Sequence, residues 1–389
     1  MRSEPNYNTI PVGQLGIIAL PGCEELANKI DNYLIRWRFQ RNSEHKDTLA
    51  FAGYEKSTYL INMDFPRFGT GEGKAALNQT VRGYDIYILC DVFNYGVTYK
   101  MYGMTVPMSP DEHFANLKRA ISAIEGKAKR VSVIMPMLYE GRQHKRSSRE
   151  SLDCAMMLQE LHNMGVENFI TFDAHDPRVM NAIPLCGFES ISPAYQMIKA
   201  AVNNVDNLKI NKDNIMIISP DEGGMSRCIY YSTVLGVELG MFYKRRDFSR
   251  IVDGRNPIIA HEFLGDNVEG KDVIIVDDMI SSGESMIEVA TKLKELKAAR
   301  IYIFSAFGLF CNGFDAFDKA FQEGIIDRVF TTNLIYGAPE LLSKDWYIRV
   351  DMSKYLSYII DTLNHDTSIS DLLDPAEKIN TLIEKKGLK

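Results

Sequence analysis

Short apolar runs recur along the chain, and most end in a polar cluster followed by apolar residues at helical spacing. Residues 14–21 (QLGIIALP) read as a first strand and 24–38 as a helix. Further strands are predicted at 85–90, 130–138, 169–172, 215–219, 237–243, 273–276, 301–306 and in DRVFTTN at 327–333. Helical periodicity marks 111–125, 152–164 and 286–296, and the tail predicts a strand, a helix and a last charged helix that frays. Residues 39–58 read as a surface excursion and 91–110, rich in Tyr and Met, as a long loop. Alternating strands and helices of this kind predict an α/β protein with mainly parallel sheets.

The pattern is clearest at 271–297. The apolar run 273–276 suits a strand buried on both faces. Asp277 and Asp278 follow, then the small hydroxylated turn Ser281-Ser282-Gly283-Glu284-Ser285, then a helix. The acids are therefore expected where the strand ends and the turn where the helix begins. Ligands of open α/β sheets collect at the carboxyl ends of strands, and a helix N-terminus suits a phosphate. Two carboxylates beside a phosphate would repel it unless they meet its hydroxyls or a hard cation. Sugar hydroxyls with Mg²⁺ is the economical reading; an acidic loop that caps a helix is the plain alternative.

Other predicted strand ends carry charge as well. Arg142, Gln143, His144, Lys145, Arg146 and Arg149 lie after one strand. Such a run is ordinarily a solvated face, but here it opens on the same edge and suits a triphosphate. Asp173, His175 and Asp176 end the next strand, and Asp221-Glu222-Gly223-Gly224 ends another. Lys244-Arg245-Arg246 begins a polar segment reaching about Pro257, with further cations at Arg250 and Arg255. A mobile loop of that composition can close over a polyphosphate and stabilise transition-state charge. Upstream, Arg67-Phe68-Gly69-Thr70-Gly71-Glu72 can stack on and hydrogen-bond a purine, or form an ordinary hairpin.

Composition narrows these options. At 389 residues the chain is long enough for two domains, and 46% hydrophobic residues supply proper cores. A net charge of −7 argues against nucleic-acid binding. The six cysteines include no CxxC pair, which indicates neither a zinc site nor a disulfide framework. No apolar run is long enough to cross a bilayer and MRSEPNYNTI lacks a signal-peptide core, so no membrane association and a cytoplasmic location are expected.

The apolar strand, Asp277-Asp278 and the loop at 281–285 resemble the PRPP-binding loop of the type I phosphoribosyltransferase superfamily. RFGTGE resembles the adenine-contacting segment of ribose-phosphate diphosphokinases (PRPP synthetases), and Arg142-Gln143, DAHD at 173–176, SPDEGG at 219–224 and KRR at 244–246 resemble that family's other motifs. The likeness covers nearly the whole chain, with insertions at 39–58, 91–110 and 249–258. It departs from the family pattern at Thr70, His144, Lys145, Ser281 and Glu284.

The resemblance implies two related phosphoribosyltransferase-like domains, each a mainly parallel sheet flanked by helices. An ATP-side domain spans 1–190, a ribose 5-phosphate-side domain 191–340, and 341–389 returns to the first. It implies Mg²⁺ and a homo-oligomer based on dimers, a hexamer among its forms. By the same likeness Phe68, Thr70 and Glu72 contact the ATP base of a neighbouring subunit, and Arg142 and Gln143 position ATP. Asp277, Asp278, Ser281, Ser282, Gly283, Glu284 and Ser285 hold ribose 5-phosphate. His175 and Asp221 serve the metal, and Lys244 and Arg246 the transition state. The implied reaction moves the diphosphate of ATP to the anomeric hydroxyl of ribose 5-phosphate. A non-catalytic regulatory homologue and a phosphoribosyltransferase are the alternatives.

Overall fold

In the computed structural model, residues 9–41, 51–246 and 258–388 are described. The described chain divides into two compact units: Met1–Ser192 with Asn333–Tyr336 and Asp351–Leu373, and Pro193–Thr332 with Gly337–Val350 and Asp374–Lys389.

The first unit begins with β1 (Gln14–Ala19) and α1 (Glu24–Arg41). Two very short strands follow, β2 (Met63–Asp64) and β3 (Ala76–Leu77), then β4 (Tyr84–Leu89). Residues 91–110, expected as a loop, contain instead an antiparallel hairpin, β5 (Thr98–Met101) and β6 (Met104–Pro107). Tyr102 and Gly103, both at positive φ, make its two-residue turn, a backbone twist that suits tight hairpins. Next come α2 (Pro110–Ile124), β7 (Arg130–Ile134), α3 (Asp153–Asn163), β8 (Asn168–Phe172) and β9 (Gly187–Ile191). Ser109 and Glu112 form a reciprocal capping box at the start of α2, with Pro110 in its first turn. The sheet order is β1-β4-β7-β8-β9, parallel throughout. Leu117 and Ile121 of α2 and Met157, Leu158 and Leu161 of α3 share a core with Ile86, Ile88, Val131 and Val133.

The second unit runs through α4 (Ala194–Asn204), β10 (Ile215–Ser219), α5 (Met225–Leu235), β11 (Glu238–Arg246), β12 (Ile258–Leu264), β13 (Asp272–Ile280), α6 (Glu284–Glu295), β14 (Ile301–Gly308), α7 (Asp315–Gln322), β15 (Arg328–Thr332) and β16 (Tyr347–Val350). The sheet order is β12-β11-β10-β13-β14-β15-β16, and β12 alone is antiparallel to its neighbour. From β10 the chain moves out to β11 and β12, then returns on the other side of β10 as β13. The strand order therefore reverses between β10 and β13, the position at which open α/β sheets form a ligand crevice.

The tail serves both units. α8 (Ser353–Asn364) and the single turn α9 (Ser370–Leu373) belong to the first, whereas α10 (Ala376–Lys386) belongs to the second. Far from fraying, α10 packs against α4 and α5 with Ile379 and Ile383 fully buried. Burial of one apolar stripe outweighs its charged composition.

A buried polar network joins α1 to α8. Arg38 Nε and Nη2 donate to Asp361 Oδ1 at 3.1 and 2.9 Å, Nη2 also donates to Asn364 Oδ1 at 2.6 Å, and Arg41 pairs with the other Asp361 oxygen. Tyr54 Oη lies 3.1 Å from His365 Nε2, and His365 Nδ1 lies 2.6 Å from the Asp361 carbonyl. Burial and the neighbouring arginines hold the His365 pKa down at about 4, against the pull of Asp361.

Candidate active site

In the second unit, neighbouring strand ends of one sheet supply the candidate residues. β13 does not stop before its aspartates, as the apolar run suggested. It continues to Ile280, with Asp277 paired to Ser305, Met279 to Phe307 and Ile280 to Gly308 of β14. The apolar stretch measures only where the strand is covered on both faces, while the ladder extends as far as β14 offers a partner. Asp278 is buried, and its backbone N–H donates to Asp277 Oδ1 at 2.9 Å. Burial, and then the Asp278 carboxylate, push the Asp277 pKa well above the usual carboxylate range, while Arg227 pulls it down. Arg227 Nη1 lies 3.6 Å from Asp277 Oδ1.

Sequence reasoning missed Arg227. Its signal was position: a cation in the first turn of a helix works against the macrodipole and needs another reason to be there.

The loop after β13 is tightly held. Leu309 N donates to Ile280 O and Cys311 N to Ser281 O, each at 2.9 Å. Gly283 precedes α6 at φ +87°, and a Cβ there would lie 2.2 Å from Phe317 Cε2. Only glycine fits both the conformation and the space. The first N–H groups of α6 open from this loop, and Ser282 Oγ accepts only a long 3.4 Å bond from Glu284 N. Glu284 Oε1 accepts from Asn312 Nδ2 at 3.4 Å. At the end of neighbouring β10, Asp221 Oδ1 accepts from Gly223 N at 2.9 Å and Gly224 N at 3.3 Å, which fixes that turn. The backbone of Lys244 and Arg246 forms the end of β11, opposite His261 and Ile258 of β12. The side-chain roles expected of these two cations, like Arg250 and Arg255, fall outside the described part of the structure.

In the first unit, the ends of adjacent strands β7 and β8 bring Arg142, Gln143, His144 and His175 to one edge. β7 ends at Ile134, and buried Met135–Leu138 lead to a turn in which Gln143 N donates to Glu140 O at 2.8 Å. Arg142, Gln143, Lys145, Arg146 and Arg149 are exposed. His144 is not one of this loop's cations. Burial lowers its pKa, partly offset by Asp176, and its ring centroid lies 5.3 Å from that of His175. Asp173 takes φ +42° at the end of β8. Asp176 caps the 3-10 helix Pro177–Ala182 and pairs with Arg178, which brings its pKa down to about 2. Its carboxylate is thus committed to local structure.

Phe68, Thr70 and Glu72 lie on the excursion between β2 and β3, closed by an antiparallel bridge of Arg67 with Gly73. Phe68 is 53% exposed, and Thr70 Oγ1 donates to Glu72 Oε2 at 2.8 Å.

Among the described residues no group of three or more His, Cys, Asp or Glu side chains is arranged to hold a metal ion. The oxygen donors nevertheless fit a hard cation. Asp277 and Asp278 form a like-charged pair beside Asp221's turn, with Arg227 as a counter-charge. Mg²⁺ typically takes one or two carboxylates with the rest of its shell from water and phosphate.

Three family models match the chain in succession: the N-terminal domain of ribose phosphate pyrophosphokinase at 15–165, the phosphoribosyl transferase domain at 188–308, and the phosphoribosyl synthetase-associated domain at 250–374. The chain belongs to the ribose-phosphate pyrophosphokinase family. Similar proteins include the ribose-phosphate pyrophosphokinase of Vibrio parahaemolyticus, 26% identical over 312 residues, with 79% of this chain and 90% of that protein covered. The ribose-phosphate pyrophosphokinase of Shewanella oneidensis is 27% identical over 308 residues, with 78% and 88% covered. A crystal structure of phosphoribosylpyrophosphate synthetase from Mycobacterium smegmatis matches the fold at a TM-score of 0.69 and 18% identity, covering 91% of this chain and 99% of that one. Against this family background, the α/β class with mainly parallel sheets and phosphoribosyltransferase-like domains is as the sequence predicted. No helix among the described residues is long and apolar enough to cross a membrane.

Proposed function

We propose that the chain transfers the diphosphoryl group of ATP to the anomeric hydroxyl of ribose 5-phosphate, forming PRPP and AMP. The observation that carries this reading is the succession of the three family matches across 15–374.

The chemistry follows from the strand ends. The N–H groups that open α6 and the hydroxyls of Ser281, Ser282 and Ser285 take the 5-phosphate, with Gly283 giving the backbone its close approach. Glu284, whose Oε1 accepts from Asn312 Nδ2 at 3.4 Å, belongs to the same ribose 5-phosphate loop. Asp277 and Asp278 accept hydrogen bonds from the ribose hydroxyls, and Arg227, 3.6 Å from Asp277 Oδ1, offsets part of the upward push that burial and Asp278 give the Asp277 pKa. In the first unit Arg142 and Gln143 hold the triphosphate, and Phe68, Thr70 and Glu72 receive the purine.

The anomeric oxygen attacks the β-phosphorus in line. The bond from that phosphorus to the α-bridging oxygen breaks, the hydroxyl proton is released, and AMP leaves. Lys244 and Arg246 neutralise charge that spreads over the transferring group. No covalent enzyme intermediate is needed, because such transfer depends on positioning and charge. Mg²⁺, when bound, would neutralise charge on the phosphate oxygens; the residues proposed to serve it are His175 in the first unit and Asp221 in the second, each at the end of its own sheet. The active form is a homo-oligomer, in which Phe68, Thr70 and Glu72 serve a neighbouring subunit's ATP.

The test is a mass-spectrometric product assay with ATP, Mg²⁺ and ribose 5-phosphate. AMP and PRPP in equal amounts are expected. ADP with a phosphorylated sugar would refute diphosphoryl transfer. Ribose 5-phosphate binding without turnover would mark a regulatory homologue, and consumption of PRPP with a free base a phosphoribosyltransferase.

A further inference from the structure

The hairpin β5–β6 interrupts a stretch with no predicted element, and its contacts run to the turn that carries Phe68. Tyr102 N donates to Gly69 O at 2.9 Å. Gly71, at φ +94°, has no room on its α-carbon: a Cβ would lie 2.7 Å from Met101 Sδ. The Arg67 guanidinium lies over the Tyr99 ring, 4.8 Å from its centroid, and Nη1 donates to Gly71 O at 3.0 Å. The Tyr99 hydroxyl donates to Glu112, whose Oε1 is also 3.5 Å from Arg67 Nη1 and whose Oε2 accepts from Ser109 N at 2.8 Å. An unbroken series of contacts therefore leads from the capped start of α2, through Glu112, Tyr99 and Arg67, to the carbonyl of Gly71.

Within itself the turn has only two backbone bonds, Phe68 N to Glu72 O at 2.8 Å and Gly71 N to Phe68 O at 2.9 Å. Two glycines and two bonds leave a turn with much freedom to lose when a ligand orders it. The hairpin removes that freedom beforehand. Arg67 is consumed in the process: its side chain is only 9% exposed and its charge faces Glu112 and an aromatic ring, so it is no phosphate ligand.

We propose that the hairpin β5–β6, with Tyr99 acting through Arg67, is a positioning element that holds the turn 68–72 in the shape that receives the purine of ATP. This rests on the reading of that turn given above. Tyr99 touches no substrate; it fixes the backbone that presents Phe68, Thr70 and Glu72.

The experiment compares the full-length chain with Tyr99→Ala, Tyr99→Phe and Met101→Ala in steady-state kinetics, and in calorimetric titration with ATP. Tyr99→Ala is expected to raise KM for ATP about ten-fold and to weaken ATP binding alike, with kcat at saturating ATP and KM for ribose 5-phosphate unchanged. Tyr99→Phe keeps the ring over Arg67 and recovers most of the loss. Met101→Ala, which keeps the Tyr99 contacts with Arg67 and Glu112 and loses only the 3.9 Å contact of the Tyr99 hydroxyl with Met101 Sδ, raises KM for ATP by a few-fold and serves if Tyr99→Ala does not fold. Wild-type KM for ATP in both Tyr99→Ala and Met101→Ala overturns the proposal, as does a fall in kcat together with a rise in both Michaelis constants. If the wild type makes no AMP, the functional reading falls separately. Equal ATP affinity in wild type and Tyr99→Ala then overturns the hairpin's role.

Discussion

Gly283→Ala is the sharpest test of the ribose-phosphate loop. The residue stands at φ +87°, and a left-handed conformation costs a residue with a Cβ roughly 1–2 kcal/mol. The new methyl would also sit 2.2 Å from Phe317 Cε2 and 2.6 Å from Cζ, far inside ordinary contact. Phe317 cannot give way easily. It is fully buried, stacked on Trp346 at 5.3 Å and edge-on to Phe310 at 5.1 Å. Overpacking of this kind costs about 1–3 kcal/mol. Together the two effects destabilise the second unit by about 2–5 kcal/mol, which lowers Tm on the order of 10 °C.

Relief comes by moving the loop, which shifts Ser281, Ser282 and the start of α6 away from the 5-phosphate. KM for ribose 5-phosphate should rise roughly ten-fold, about 1.4 kcal/mol of binding. Thermal unfolding and initial-rate kinetics read the two effects, and the cycle with Phe317→Leu isolates the clash as a coupling of about 1 kcal/mol or more. A Tm within one degree of wild type, with unchanged KM, would refute both the backbone conformation and the Phe317 contact on which the reasoning stands.

Lys244→Ala should lower turnover by roughly 10²–10³-fold while ATP affinity by calorimetry stays nearly intact; unchanged turnover removes the residue from the mechanism. Asp277→Asn should weaken ribose 5-phosphate use yet raise Tm at alkaline pH. The Asp277 carboxyl has a folded pKa raised above its unfolded value, so its stabilising contribution is lost as pH rises through the raised value. The wild-type profile should therefore fall across that rise while the variant's does not, and parallel profiles would count against it. His365 runs the other way, with a folded pKa of about 4 against an ordinary 6.5. Its contribution, on the order of 3 kcal/mol, is full above pH 6.5 and is lost as pH falls toward 4. Denaturant unfolding of His365→Gln should show a flatter dependence over that window, and an identical slope would exclude the histidine.

What could be read in the chain was local. An apolar run with two covered faces announces itself at 215–219, 273–276 and 301–306, because nothing but a buried strand or helix tolerates it. The polar clusters that follow those runs, from Arg142-Gln143 to Ser281–Ser285, were visible for the same reason, and so was the α/β class. Gly283 was legible as a point of close backbone approach, though not the ring that makes it obligatory.

Other features depended on partners distant in the chain. β13 runs through Asp277 and Asp278 because β14 supplies a ladder as far as Gly308, and β12 exists by pairing with β11 across an unlike sequence. The hairpin at 98–107 gains its purpose from Arg67, some thirty positions earlier, and α10 is ordered by α4 and α5 rather than by its own charged composition. Arg227 acquires a role only when parallel pairing sets β10 beside β13. Local pattern records which surfaces must be covered; strand order and long-range packing decide what covers them, and so which charges end up sharing one edge.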